Sequence, residues 1–542
     1  MDSHLVSKTQ TIANQRFITS YSYDEHDRMT SKTYPSGKNV GYVYDDKGEL
    51  MSLNIDGVPF ISDIKTNDNG LLSYTYADGT KHTRTYDKNG RVKELSYPNY
   101  TEKVNYNKVS NITNIQSDAI SREFGYDNLD RLTSYEHNAT DFQNFAYDAN
   151  GNRLNQDQEN NETKVFTYAL NSNILNSIEE TKGTDTKEIS YEYDATGNII
   201  KDDKHTYSYG GRNRLTAIDN NVTYQYNYDN KRVSKTVNGV KTYFIYDGHM
   251  LIGEYQLNLS DQSRQEMVYL NSTPIATVTP KGTYRIYSDH LDTSRRVATN
   301  DEEAKVLWEW ESKPFGESLA NEDVDQNGKA FTLNLRFPGQ YFDSETKTHY
   351  NINRDYNPVT GRYIQSDPVG FDGGVNGFGY VGGKPIIAVD EEGLRPKSNM
   401  FWTMYLNYDM FSGSDVWEIV GGNIGGTYGP NSNSCATRVS FGLNYSGDPI
   451  PSTSGSNKNY NGDFKRYIIS ARMMKKYLRN YWGRPDKVLR QYTDVEKLQK
   501  SLTEGQVAVV ASTGHASVVT HSYTDPYVTH YLGDVWLLPK GW

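Results

Sequence analysis

A chain of 542 residues exceeds the roughly 250 to 300 that one hydrophobic core usually serves, so two or three domains are expected. Hydrophobic content is only 35%, yet aromatics reach 13% and 45 of them are tyrosines, which excludes the aromatic-poor composition of disordered chains. The net charge of −11 gives no global sign of a nucleic-acid partner, and the single cysteine, Cys435, excludes an internal disulfide and any multi-cysteine metal site. No apolar run reaches the roughly 18 residues of a membrane span, so no membrane partner is expected. The first residues, Met1-Asp-Ser-His-Leu-Val-Ser-Lys8, lack the charged and then apolar regions of a secretory leader, so export by another route is expected. Neither a cofactor nor a metal is expected.

The first elements in chain order are repeats. Tyr-Asp recurs at Tyr23, Tyr44, Tyr86, Tyr126, Tyr147, Tyr193, Tyr228 and Tyr246, at spacings that fit a unit of about 20 residues. Copies such as Tyr147-Asp-Ala-Asn-Gly-Asn-Arg-Leu154 and Tyr193-Asp-Ala-Thr-Gly-Asn-Ile-Ile200 read as strand, turn, strand. Alternation as in Tyr224-Gln-Tyr226-Asn-Tyr228 places rings on one face of a strand, and Asn-Gly or Asp-Gly pairs supply the positive φ of tight hairpins. Such hairpins bury a face only against their neighbours, so a long curling sheet is predicted up to about residue 394. An ordinary antiparallel sandwich with Tyr-rich strands is the alternative.

These repeats resemble the RHS (YD-repeat) family of bacterial polymorphic toxins and toxin-complex cocoon proteins. Tyr287-Ser-Asp-His-Leu-Asp-Thr-Ser-Arg-Arg-Val297, Trp308-Glu-Trp310, Pro314-Phe-Gly316, Phe337-Pro-Gly-Gln-Tyr341 and Asn353-Arg-Asp-Tyr-Asn-Pro-Val-Thr-Gly-Arg-Tyr363 are similar to its core. The resemblance implies a mostly β chain. A spiralling YD-repeat sheet, residues 1–352, would form a hollow shell, 353–394 its C-terminal autoprotease segment, and 395–542 an enclosed toxin.

The segment Ser366-Asp-Pro-Val-Gly370, with Asp390 further on, sets two carboxylates near the change of composition. If the chain folds back, Asp367 and Asp390 can share a proton, one acting as base on water and the other as acid toward a carbonyl. The alternative is that each merely shapes a Pro- or Gly-rich turn. RHS proteins cleave themselves with two aspartates and an upstream arginine, and the resemblance assigns these roles to Asp367, Asp390 and Arg354, with cleavage between Leu394 and Arg395. Glu391 stands where the family has proline.

After Leu394 the repeats stop. Residues 395–542 hold 16 Lys and Arg against 11 Asp and Glu, a charge of +5 that leaves −16 on residues 1–394. A basic passenger in an acidic shell suits storage, and the same charge suits a nuclease. Cys435 is predicted in the first turn of a helix with Ala436, Val439 and Leu443 on one face, where unpaired N–H groups favour the thiolate. A buried apolar cysteine is the alternative. His515 follows the apolar run Val507–Ala511, and Asp525 is the candidate to orient its ring, with His521 and His530 as competing histidines. Ser434-Cys-Ala-Thr-Arg-Val-Ser440, Leu443-Asn-Tyr-Ser-Gly447, Gly483-Arg-Pro485, Gly514-His515 and Trp536-Leu-Leu-Pro539 resemble the fourth family of type VI secretion amidase effectors.

That resemblance implies a small α+β papain-like (NlpC-type) domain with Cys435 as nucleophile, His515 as base and Asp525 as third member. It implies cleavage of peptidoglycan stem peptides between D-glutamate and meso-diaminopimelate, in the periplasm of a target bacterium. Expected partners are the stem peptides, a cognate immunity protein and a type VI spike or loading chaperone, with no nucleic acid and no membrane. A nuclease tail and a YD-repeat surface adhesin are the competing readings.

Overall fold

The computed structural model describes residues 5–394, save 68–69, 118–119, 258–262, 369 and 371–375. Beyond 394 it describes 416–417, 434–446, 457–458, 466–468, 470–481, 485, 487–502, 507–512, 515–520, 523–524, 528 and 532–538. The chain is mostly β. Eighteen strands from Ser7–Ile12 to Asp185–Ser190 form one sheet in which each strand pairs antiparallel with the next. A second meander of eleven strands runs from Tyr207–Tyr209 to Val306–Glu309, and four short strands follow, from Tyr341–Asp343 to Arg362–Tyr363.

The repeat has a local cause. At Tyr126-Asp127, the Asp127 carboxylate accepts the backbone N–H groups of Leu129 (2.9 Å) and Arg131 (3.0 Å) and the Arg131 Nε (2.7 Å). Asp24, Asp87, Asp148 and Asp194 close their turns in the same way. The tyrosine before each aspartate sits at a bulge where two residues oppose one, as between Gly125 and Tyr126, and bulges bend a strand and increase its twist. At several turns the hydroxyl of the tyrosine ending the strand donates to a carbonyl of the preceding hairpin: Tyr44 to Met29, Tyr86 to Leu71, Tyr106 to Val92, Tyr126 to Ile112, Tyr168 to Arg153. The turn arginine lies over the next tyrosine, with Arg91 4.2 Å from the Tyr106 ring and Arg131 4.9 Å from that of Tyr147. The unit at Tyr126-Asp127 is therefore bonded within its own turn, backward by a phenol and forward by a guanidinium.

The structure revises which dipeptides serve as repeats. Tyr228 is 86% exposed, and the role expected of Tyr228-Asp229 is taken by Tyr226-Asn227: the Tyr226 hydroxyl bonds Leu215 O and the Asn227 side chain caps Lys231 N. Asn107 likewise caps Val109 and Asn111 midway between the Tyr86 and Tyr126 copies. An asparagine carbonyl accepts the same N–H bonds as a carboxylate, so a search for Tyr-Asp alone misses these units. Two-residue turns such as Asp56-Gly57 and Asn238-Gly239, with positive φ at both residues, join strands at other hairpins as expected.

The two large sheets pack on one another. Phe17 lies against Tyr243 and Tyr255, and Tyr97 stacks on Tyr287 with centroids 4.4 Å apart. Charge is paired across this seam, as between Lys32 and Asp247 (2.5 Å), and between the second sheet and the short strands, where the Arg232 guanidinium spans both oxygens of Asp343 (2.6 and 3.0 Å) beside Lys235.

Past 394, four antiparallel strands run in the order Lys487–Val488, Asp534–Leu538, Val507–Ala511, Ala516–Thr520. Helices α1 (Cys435–Ser446) and α2 (Ala471–Tyr481) cover one side, sharing an apolar cluster with Val507, Val509, Val518 and Trp536. Helix α3 (Tyr492–Ser501) packs with Ala508, Val510, Val519 and Val535 in a second cluster. Arg479 and Lys475 of α2 tie to the buried Asp534. The side chain of Leu443 lies outside the described residues, whereas Ala436 and Val439 are buried as predicted.

Asp127→Ala removes three hydrogen bonds from one turn. It is expected to lower stability by about 2 kcal/mol, read as a lower urea midpoint, while Glu25→Ala at an exposed carboxylate leaves the midpoint unchanged.

Candidate functional site

Two places collect the side chains singled out from the sequence. The first is built on the short strands Thr348–Asn351, Arg354–Asn357 and Arg362–Tyr363, against which residues 376–394 fold back. Arg354 is buried between both aspartates, its Nη1 3.0 Å from Asp367 Oδ2 and its Nη2 3.4 Å from Asp390 Oδ2. Its plane lies 3.7 Å from the centre of the Tyr363 ring. A guanidinium thus bridges the two carboxylates that the sequence pairs through a shared proton.

The segment before the expected cleavage point is gripped residue by residue. Asn351 Nδ2 donates to Asp390 O (2.7 Å), Asn353 N and Nδ2 to Glu392 O (3.0 and 2.9 Å), and Arg354 Nε to Gly393 O (2.6 Å). Asp390 Oδ1 accepts the Leu394 N–H at 2.9 Å, and Oδ2 accepts the Tyr363 hydroxyl at 2.7 Å. Position 393 admits only glycine: its φ is +67°, and a Cβ there would stand 2.5 Å from Asn351 O. Burial pushes the Asp390 carboxyl above the ordinary aspartate range, opposed by Arg354, the Tyr363 hydroxyl and the N–H groups of Leu394 and Gly393. Arg395 lies outside the described residues. Asn351, Asn353 and Tyr363 were not singled out from the sequence, although the last two sit in the same motif as Arg354.

The second place is at α1. Cys435 is the first residue of the helix, as predicted, and is 2% exposed, as in the buried-cysteine alternative. His515, 4% exposed, precedes the strand Ala516–Thr520, on which α1 packs. Ser512 shapes the turn into that histidine, its Oγ accepting the His515 N–H at 2.9 Å. Cys435, Ala511 and Ala516 belong to one apolar cluster, and α1 packs on the strand that follows His515. Asp525, His521 and His530 lie outside the described residues. Among those residues no cluster of His, Cys, Asp and Glu could hold a metal ion.

Replacing Arg354 by methionine leaves two buried carboxylates without their bridging cation. The variant is expected to lose about 3–5 kcal/mol of stability near pH 8. Carboxyls with folded-state pKa values above the unfolded ones stabilise as pH falls, so this deficit shrinks toward pH 5, checked by thermal melting at both pH values.

Comparison with known proteins places both regions. The teneurin YD-shell family model matches residues 100–374, half of the chain. The model of type VI secretion system amidase effector protein 4, Tae4, matches residues 431–525. The tRNA3(Ser)-specific nuclease WapA of Bacillus spizizenii is 29% identical over 39% of this chain and 9% of its own length. The double-stranded DNA deaminase toxin A of Burkholderia cenocepacia is 26% identical over 51% of this chain and 21% of its own. The chain therefore spans about a tenth to a fifth of the length of these relatives. The structure of the Photorhabdus luminescens Tc holotoxin pore, 16% identical, overlays 72% of this chain and 23% of that chain with a TM-score of 0.55, a likeness of fold. The chain belongs to the teneurin YD-shell family, and its residues 431–525 are similar to the Tae4 amidase effector family.

Proposed function

We propose that this chain is an antibacterial effector in which a YD-repeat shell, residues 1–352, stores a peptidoglycan amidase, residues 395–542, that segment 353–394 cuts free. The observation that carries the amidase reading is the Tae4 match over 431–525, which contains Cys435, His515 and Asp525. The buried helix start of Cys435, on a helix packed against the strand that follows His515, supports it. A papain-like arrangement has His515 take the thiol proton while the thiolate attacks the stem-peptide carbonyl between D-glutamate and meso-diaminopimelate. The imidazolium then returns that proton to the leaving amine, and water resolves the thioester with His515 again as base. Asp525 would orient the ring.

Self-cleavage adds water across Leu394–Arg395, leaving a carboxylate on one piece and an amine on the other. Arg354 between Asp367 and Asp390, and the grip on residues 390–394, support that site. In this reading the effector leaves the producing cell with a type VI spike or loading chaperone, acts in the target periplasm, and is held in check by a cognate immunity protein. The shell relatives carry unlike activities by name, a tRNA nuclease and a DNA deaminase, so the tail sets the chemistry.

Wild-type protein is expected to run as two pieces on a denaturing gel and Asp390→Asn as one. Persistence of both pieces in Asp390→Asn would remove that aspartate from the reaction. Residues 395–542 directed to the periplasm are expected to lyse cells, with Cys435→Ala and His515→Ala inactive, Asp525→Ala weakened, and cytoplasmic expression tolerated. Digestion of purified muropeptides, read by product mass, identifies the bond; intact muropeptides or full activity of Cys435→Ala would turn the assignment toward a nuclease.

A further inference from the structure

Tyr363 is a buried phenol with a defined direction. Asn351 Nδ2 donates to its oxygen at 2.8 Å, which leaves the hydroxyl hydrogen for Asp390 Oδ2 at 2.7 Å. Its ring lies against the Arg354 guanidinium, so one side chain supports both members of the bridge. Burial and the Asp390 charge hold the phenol well above its ordinary pKa, so it keeps its proton and can donate to Asp390.

We propose that Tyr363 is a positioning residue for self-cleavage, its hydroxyl fixing the rotamer of Asp390. This rests on the autoproteolysis reading above. Asp390 has two oxygens with separate tasks: Oδ1 binds the Leu394 N–H, one residue before the expected cut, and Oδ2 is steered by Tyr363 toward Arg354. Without the hydroxyl, Oδ2 keeps only the 3.4 Å contact to Arg354 among these donors, and the carboxyl is held chiefly through Oδ1 and the Leu394 N–H. The charged and titratable groups facing Asp390 are Arg354, with Asp367 across it, Tyr363, Tyr380 and Glu391, the last paired with His249. Removing a donor from the ionised carboxylate raises its pKa further, so the pH limb belonging to Asp390 moves upward whether that group serves as base or as acid.

The test uses the full chain. Tyr363→Phe keeps the ring on Arg354 and deletes one oxygen. Uncleaved protein made by cell-free synthesis is transferred to buffers between about pH 5 and pH 9, and conversion to two pieces is followed on gels. Tyr363→Phe is expected to slow conversion about 10- to 100-fold and to shift the Asp390 limb to higher pH. A difluorotyrosine at 363, a stronger donor of nearly the same size, is expected to shift that limb the opposite way. Wild-type rate in Tyr363→Phe, or a slowed rate with an unmoved pH profile, would overturn the proposal. No conversion of the wild-type chain in the same assay would instead refute the autoproteolysis reading, so the two failures are distinguishable.

Discussion

The turn capped by an aspartate or asparagine side chain, joined to its neighbours by a tyrosine hydroxyl and an arginine face, is the constraint on which the rest of the structure depends. A hairpin of about 20 residues cannot bury enough surface to be stable alone. Here hairpins hand their neighbours hydrogen bonds and stacked cations, as Tyr126 does to Ile112 and Arg131 to Tyr147. The bulge at each tyrosine bends the strand that carries it, so repetition of one local rule both links and curls the sheet.

Closure of one sheet over the other is what permits a buried polar site at the end of the repeats. Arg354, Asp367 and Asp390 are all nearly sealed from solvent, a placement that burial penalises unless each charge finds a partner. Arg354 meets the demand of both carboxylates, and Tyr363, Asn351 and Asn353 satisfy the carboxylate and carbonyl oxygens of the returning segment. Rigidity follows from that density of bonds, and it holds residues 390–394 in one conformation.

Past 394 the chain builds its own apolar clusters around a small antiparallel sheet, in which Val507, Val509 and Val518 face α1 and α2. Val416, Trp417 and Tyr467 instead join the cluster formed by Trp308, Trp310, Phe337 and Tyr356 of the YD-repeat region. The C-terminal part is thus packed against the shell region while keeping a separate core, in line with a net charge of opposite sign in the two parts.

The amino-acid sequence by itself determined the repeat, its turns and the helix that begins at Cys435, because these rest on bonds between residues two to four apart. Asp127 to Leu129 and Arg131, and Ser434 O to Arg438 N, are of that kind. It also marked Arg354, Asp367 and Asp390 through their motif. Only the tertiary structure decided that Arg354 stands between the carboxylates, that Tyr363 directs Asp390 from 27 positions away, and that Tyr226-Asn227 replaces Tyr228-Asp229 in the ladder. Such contacts depend on how strands stack and which sheet covers which. Chain pattern encodes a short-range hydrogen bond directly, whereas a long-range one exists only after the loop entropy between its ends has been overcome by packing elsewhere.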